Sequence, residues 1–167
     1  MVCAREVAVA IPIQVNRQTS NGDNDIRIHL VTSRKHDNRY VLPKGGVEHN
    51  ETSRQAAVRE LWEEAGLVGE SSPSNILSKA SQAELTVDDH KPHRNSPSKS
   101  PQEPNFVPRA RYTGHQVLVT SIKDEWPESD ERQRKLVTIQ EAEKQLEWRK
   151  DIHTIFTRWA AGISRET

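Results

Sequence analysis

Four glutamates raise the first chemical question in this chain. Glu60, Glu63 and Glu64 stand at positions i, i+3 and i+4, with Glu51 just upstream. On a helix the first three would point the same way, where each exposed like-charge pair costs about 0.2–0.5 kcal/mol. Taken alone, the row reads as a solvated acidic face partnered by Arg54 and Arg59. A hard divalent cation gives it a second meaning. Mg²⁺ takes oxygen ligands and keeps several waters, so two or three carboxylates on one rigid helix make a fitting site. A metal held there would neutralise the repulsion.

The stretch that must position these carboxylates is "GGVEHNETSRQAAVRELWEEAGL", from Gly45 to Leu67. Thr52 and Gln55 form a capping box that starts a helix. Ala57, Leu61 and Ala65, flanked by Val58 and Trp62, make its buried stripe, opposite the glutamates. Gly66 is a C-terminal stop. Upstream, "EVAVAIPIQV" puts Val7, Val9, Ile11, Ile13 and Val15 on alternate positions, which predicts a strand. Pro12 on its other face predicts an edge or a bulge. "NRQTSNGDND", centred on Asn21-Gly22, is turn chemistry, and "IRIHLVTS" alternates again, so the two strands form a hairpin. "RYVLPKGG" is a short strand ended by Pro43 and two glycines.

Residues 70–108 hold six prolines and many Ser, Lys and Asn residues. They predict a long, partly flexible loop, with some strand around "AELTV". Order resumes in the strand "HQVLVTSI". A short helix follows, boxed by Thr138 and Glu141. The last helix carries Trp148, Ile152, Ile155 and Trp159 at spacings of four, three and four. The expected fold is a mixed sheet with helices on its faces, an α/β sandwich in one domain spanning residues 1–167.

Composition narrows the function classes. Lys+Arg and Asp+Glu balance at 24 each. No global basic field draws in nucleic acid or an anionic membrane, so an anion site must be a local cluster. No apolar run approaches a membrane span. The seven histidines show no zinc-ligand spacing. The single cysteine, Cys3, excludes an internal disulfide framework and fits a reducing compartment. The expected location is cytoplasmic, extending to the nucleus. A secreted chain trimmed of its leader would read the same. The expected state is a monomer.

The full spacing is longer than the glutamate row. Gly45, five residues, Glu51, seven residues, Arg59-Glu60, an aliphatic, any residue, Glu63-Glu64, any residue, Gly66, an aliphatic: this resembles the complete Nudix box. The resemblance implies a Nudix-type α/β/α sandwich and hydrolysis of a pyrophosphate. It implies Mg²⁺ as cofactor, with Mn²⁺ as a substitute. Glu60 and Glu64 would be the metal ligands, with the carbonyl of Lys44. Glu63 would be the base that activates water, and Glu51 would pair with Arg59 to hold the loop against the helix.

"RYVLPKGGVE", "RELWEEAG" and "EWPESDERQRKLVTIQEA" are similar to the diphosphoinositol polyphosphate phosphohydrolases, fungal ones especially. That branch removes the β-phosphate of inositol pyrophosphates, and many members also cleave diadenosine polyphosphates. So dense an anion needs several cationic contacts. The resemblance assigns them to Arg5, Ser33, Lys35, Arg109, Arg111, Arg132 and Arg134. Two alternatives stand beside this reading. One is a Nudix hydrolase of nucleotide substrates: a dinucleoside polyphosphate, a nucleotide sugar or capped RNA. The other is a non-catalytic binding module, which would typically have lost box glutamates that are all retained here.

Overall fold

The structure is a computed structural model that describes residues 2–16, 25–36, 38–72 and 76–163. Its centre is β1 (Arg5–Asn16). The alternation that predicts this strand also sorts its two faces by size. Val7, Val9, Ile11 and Ile13 enter one core cluster, and Ala8 and Ala10 enter the other. The small face lets a helix lie close, and the large face fills the space under two more.

β2 (Asp25–Thr32) pairs antiparallel with β1, as the hairpin reading requires. The Asn21-Gly22 turn lies outside the described residues. β3 (Tyr40–Val41) and β4 (Lys44–Gly46) follow, divided at Pro43. The helix α1 (Ser53–Ala65) begins at the Thr52 capping box and ends at Gly66, whose φ of 66° is left-handed. β5 (Leu67–Glu70), β6 (Thr86–Asp88), β7 (Ala110–Ile122) and β8 (Arg134–Thr138) complete the sheet. α2 (Ile139–Leu146) is capped by Thr138, and α3 (Lys150–Ala161) follows it.

The strand order is β3-β2-β1-β7-β5, with β4 on β1, β6 on β7 and β8 on β2. β1 and β7 run parallel and every other pairing is antiparallel. α1 covers the face of Ala8 and Ala10 with Ala56, Ala57, Leu61 and Ala65. Ile152, Ile155, Phe156 and Trp159 of α3, with Ala142 and Leu146 of α2, cover the other. This is the expected α/β sandwich with a mixed sheet, in one domain.

Two details correct the sequence reading. Pro12 lies on a central strand, buried, opposite Val117 of β7. The N–H of Ala10 donates to the Pro43 carbonyl on the other side. Residue 12 faces that same side, by the two-residue repeat of a strand. β4 pairs there only as far as Val9, and β2 only from Ile13. The missing N–H of Pro12 therefore falls between two partners. Trp148, predicted inside the last helix, precedes α3 and donates its indole N–H to the Tyr40 carbonyl at 2.9 Å.

The segment between β5 and β7 contains the strand expected near "AELTV", as β6. Isolated bridges join Pro92 to Pro108, Ser98 to Phe106 and Ser78 to Ile163. Among the described residues no helix is long and apolar enough to cross a membrane.

Candidate active site

α1 carries its carboxylates to the end of the sheet where β4 leaves β1. Arg59 organises them. Its Nε donates to Glu51 Oε2 at 2.8 Å and its Nη2 to Glu51 Oε1 at 3.0 Å, a two-point grip. Nη2 also donates to the Gly46 carbonyl at 3.0 Å. Nη1 reaches Glu60 at 2.8 Å and Glu63 at 3.2 Å. One guanidinium thus fastens the loop of Glu51 to the helix and offsets the repulsion within the row. It holds the Glu51 carboxyl below the usual carboxylate range.

The three helix glutamates do not share one environment. Glu63 keeps 40% of its side chain exposed, against 13% for Glu60 and 9% for Glu64. Glu64 therefore lies beside the buried stripe rather than on a solvated face opposite it. The cause is the helical repeat: Glu64 follows Leu61 by three positions and shares its side. Burial raises the Glu60 carboxyl, and the Arg59 guanidinium opposes the rise. Burial also raises Glu64, more strongly, against the pull of Arg132 and of the Lys44 N–H. That N–H donates to Glu64 Oε2 at 3.2 Å, and Arg132 Nη2 stands 3.3 Å from Oε1.

Glycine makes room for this packing. A Cβ on Gly45 would lie 2.1 Å from the Glu60 carboxylate carbon. On Gly66 it would lie 2.7 Å from the Trp126 ring, which covers the helix end and donates its N–H to the Glu64 carbonyl at 2.9 Å.

The donor set fits a hard divalent cation. Glu60 and Glu64 are partly desolvated, and Glu60 raises the proton affinity of Glu64; Glu63 and Glu128 raise that of Glu60. A divalent ion relieves that stress directly. Among the described residues no three His, Cys, Asp or Glu side chains already converge on a metal position. Glu60 and Glu64 are occupied by arginines instead. The residues that would hold the ion are these two and the backbone of Lys44.

Beside the carboxylates opens a cavity of about 850 Å³. Arg5, Ser33, Lys35, Lys44, Glu64, Arg109 and Arg132 line it, together with Arg34, His36, Tyr112 and Arg149. Five of the seven residues assigned to substrate thus face one space. Arg111 and Arg134 do not. Ala110 and Tyr112 line the cavity, so alternation along β7 turns Arg111 to the other side. There it pairs with Asp88 at 2.7 Å and approaches Glu6 at 4.0 Å. Arg134 serves the end of α1. It donates to the carbonyls of Ala65 and Lys123 at 3.1 and 2.6 Å, and its guanidinium stacks 4.2 Å from the Trp126 ring.

Three cations of the cavity escaped the sequence reading as site residues: Arg34, Arg149 and the Lys44 side chain. Burial, with the neighbouring Arg149, lowers the Lys44 ammonium. Arg149 precedes α3, 3.4 Å from Asp151 and 3.4 Å from the Tyr112 hydroxyl. Nothing in "EWRKD" marks it as a site residue, because only folding brings the α2–α3 junction to β7.

Comparison with known proteins bears on the family and the fold. The family model for the NUDIX domain matches residues 5–159. The chain is 31% identical to Nudix hydrolase 21, chloroplastic, of Arabidopsis thaliana over 140 residues, 83% of this chain and 58% of that protein. It is 31% identical to Nudix hydrolase 16, mitochondrial, of the same plant over 157 residues, 89% of this chain and 77% of that one. It is 26% identical to human diphosphoinositol polyphosphate phosphohydrolase 3-alpha over 133 residues, 78% of this chain and 66% of that protein. The chain thus spans less than two thirds of the length of some of these relatives. The crystal structure of the Caenorhabditis elegans Ap4A hydrolase superposes with a TM-score of 0.53 at 15% identity, covering 95% of this chain and 97% of that one, which bears on the fold alone. The domain match runs from the first strand to the last helix and encloses every residue of the glutamate site, so the chain belongs to the Nudix hydrolase family.

Proposed function

We propose that this chain hydrolyses the pyrophosphate bond of diphosphoinositol polyphosphates, releasing the β-phosphate, and that it also accepts diadenosine polyphosphates. One observation carries the reading. Arg5, Arg34, Lys35, Lys44, Arg109, Arg132 and Arg149 line a single cavity that holds one carboxylate, Glu64. The chain as a whole is charge-balanced. Such segregation suits a ligand with phosphates on several sides, which cations from separate loops can grip together. The likeness to the human phosphohydrolase supports the same substrate class.

In this reading Arg5, Ser33, Lys35, Arg109 and Arg132 bind and orient the phosphates. Glu60, Glu64 and the Lys44 carbonyl would hold Mg²⁺ or Mn²⁺, which would supply charge neutralisation to the substrate's phosphates. Glu63 is the most exposed of the helix glutamates and is steadied by Arg59. It takes the proton of the attacking water as the bond from the β-phosphorus to the bridging oxygen breaks and that oxygen leaves with its electron pair on the α-phosphate, which stays on the inositol. Glu51 acts through Arg59 by keeping the loop and helix in register.

A nucleotide substrate is the second reading. His36 lines the cavity with its ring edge-on to Trp148, 5.2 Å between centroids, and offers a ring partner for a base. Turnover of diphosphoinositol pentakisphosphate, diadenosine hexaphosphate and a nucleotide sugar, measured side by side with Mg²⁺, separates the two. The inositol pyrophosphate should be the best substrate by kcat/KM. A preference for the nucleotide sugar would overturn the proposal.

A further inference from the structure

One buried carboxylate joins the segment before β7 to the cavity. Asp89 directly follows β6 and is 4% exposed. Its Oδ2 accepts from Arg109 Nε at 2.9 Å and from Arg109 Nη2 at 2.7 Å. Its Oδ1 accepts from the Lys91 N–H at 2.9 Å. The backbone around the pair is a ladder. Asp88 pairs with Arg111 in β6 and β7, the Asp89 N–H donates to the Ala110 carbonyl, the Arg109 N–H to the Lys91 carbonyl, and the His93 N–H to the Val107 carbonyl. Asp89 and Arg109 therefore meet across the stem of a hairpin whose far end is the Pro/Ser-rich stretch. The Arg109 carbonyl accepts from the Arg5 N–H at 3.1 Å, which ties that stem to the start of β1.

The two ends of this pair differ in exposure. The Asp89 side chain is 3% exposed and that of Arg109 is 54% exposed, at the cavity wall. The acid is thus a fixed base and the guanidinium a presented head. An arginine held in this way loses less rotamer freedom when it meets a phosphate.

We propose that Asp89 is a positioning residue that presets Arg109 for the phosphates of the polyanionic ligand, and so makes the segment between β5 and β7 part of the receptor. The proposal rests on the polyphosphate reading of the cavity. The neighbouring pair, Asp88 with Arg111, supplies an internal control. It is equally close, but both of its side chains are nearly half exposed and neither lines the cavity.

Calorimetric titration with inositol hexakisphosphate in Mg²⁺ tests the proposal without turnover, since that probe has no pyrophosphate bond. Asp89→Asn keeps an oxygen for the Lys91 N–H but sets an amide against the guanidinium. It should weaken binding about three- to tenfold, and Arg109→Ala about tenfold or more, the range of one charge-assisted contact. In the Arg109→Ala background Asp89→Asn should then change nothing, and Asp88→Asn should leave affinity unchanged in the parent. An equal loss from Asp89→Asn in both backgrounds, or an equal loss from Asp88→Asn, overturns the proposal. If Asp89→Asn fails to fold, Arg109→Lys replaces it: lysine keeps the charge without the two-point grip, and undiminished affinity overturns the proposal. Should the parent bind only diadenosine hexaphosphate, titrated in chelator, the inositol reading falls and the same cycle run on that ligand still decides the role of Asp89. Binding of neither probe overturns both.

Discussion

The carboxylates and the cations of the site are built in opposite ways. Glu60, Glu63 and Glu64 come from one helix, with Glu51 one loop away; Arg59 holds Glu51, Glu60 and Glu63, and Arg132 pairs with Glu64. The cations come from the start of β1, the loop after β2, β4, the stem before β7, the loop before β8 and the α2–α3 junction. The first group is fixed by helical spacing, so its geometry survives wherever the helix forms. The second exists only when six parts of the chain are in place. The reaction class is thus written locally, and the choice of substrate is written in the tertiary structure.

That contrast can be broken by experiment. The largest effect should come from the metal. A chelator should abolish turnover of every substrate, and Mg²⁺ or Mn²⁺ should restore it; full turnover in metal-free buffer would remove the carboxylate site from the mechanism. Next comes Glu63→Gln, expected to lower kcat about 10²–10⁴-fold on all substrates while metal affinity and fold are retained. A near-normal rate in a folded variant would pass the base to another glutamate.

Lys35→Ala should act selectively. Loss of one charge-assisted contact costs about 1.5–3 kcal/mol, roughly ten- to a hundredfold in kcat/KM, on an inositol pyrophosphate. The loss on a nucleotide sugar should be smaller, and the inositol effect should shrink at high salt because Lys35 is exposed. Equal losses on all substrates would dissolve the distinction between the two groups. Arg134→Ala sharpens the same boundary from outside. Its partners are the Ala65 and Lys123 carbonyls and the Trp126 ring. It should lower the midpoint of thermal unfolding by a few degrees, about 1–2 kcal/mol, and leave KM alone. A raised KM with unchanged stability would return Arg134 to the receptor.

The scaffold beneath both groups has its own pH dependence. Burial lowers His29 and His115 to about 4. His29 meets Gln14 Oε1 at 3.1 Å and His115 meets Ser53 Oγ at 2.7 Å. Their folded values lie below the unfolded one, so the unfolded chain binds more protons at acid pH. This stabilisation is complete above about pH 6.5 and is lost as pH falls toward 4. Between pH 7 and pH 5 each histidine should remove on the order of 1–2 kcal/mol. Urea midpoints at the two pH values measure the loss. The double variant His29→Gln, His115→Gln should flatten the slope, and an unchanged slope would assign it to other groups.

Much of the scaffold was legible in the sequence because it is local. The Thr52 box, the Thr138 N-cap, the Gly66 stop and the β1 alternation each declare themselves within a few residues, and the structure carries them; of the box read at Thr138 it shows the half in which the hydroxyl accepts from the Glu141 N–H. β8 was not expected, since "RKLVT" is short and charged and is completed by its ladder with β2. Arg111 and Arg134 show the limit most clearly. Their type and position suit a phosphate contact, but strand alternation and the end of α1 direct them elsewhere. Arg149 shows the converse, a cation placed at the cavity by packing that leaves no local trace.

The parallel pairing of β1 with β7 also has a meaning in time. It joins Arg5 to Ala110 and Ile13 to Leu118, contacts separated by most of the chain. Contacts of such high order form late, because a long loop must close before they yield stability. The glutamate helix, closed by its own caps, needs no such wait. A growing chain that has just passed Leu67 already holds the complete box motif, yet β7 and the cavity cations Arg109, Arg132 and Arg149 have still to be made. Refolding should therefore recover helix signal first and polyanion binding in a slower phase, an order that stopped-flow mixing with a fluorescent polyphosphate would reveal.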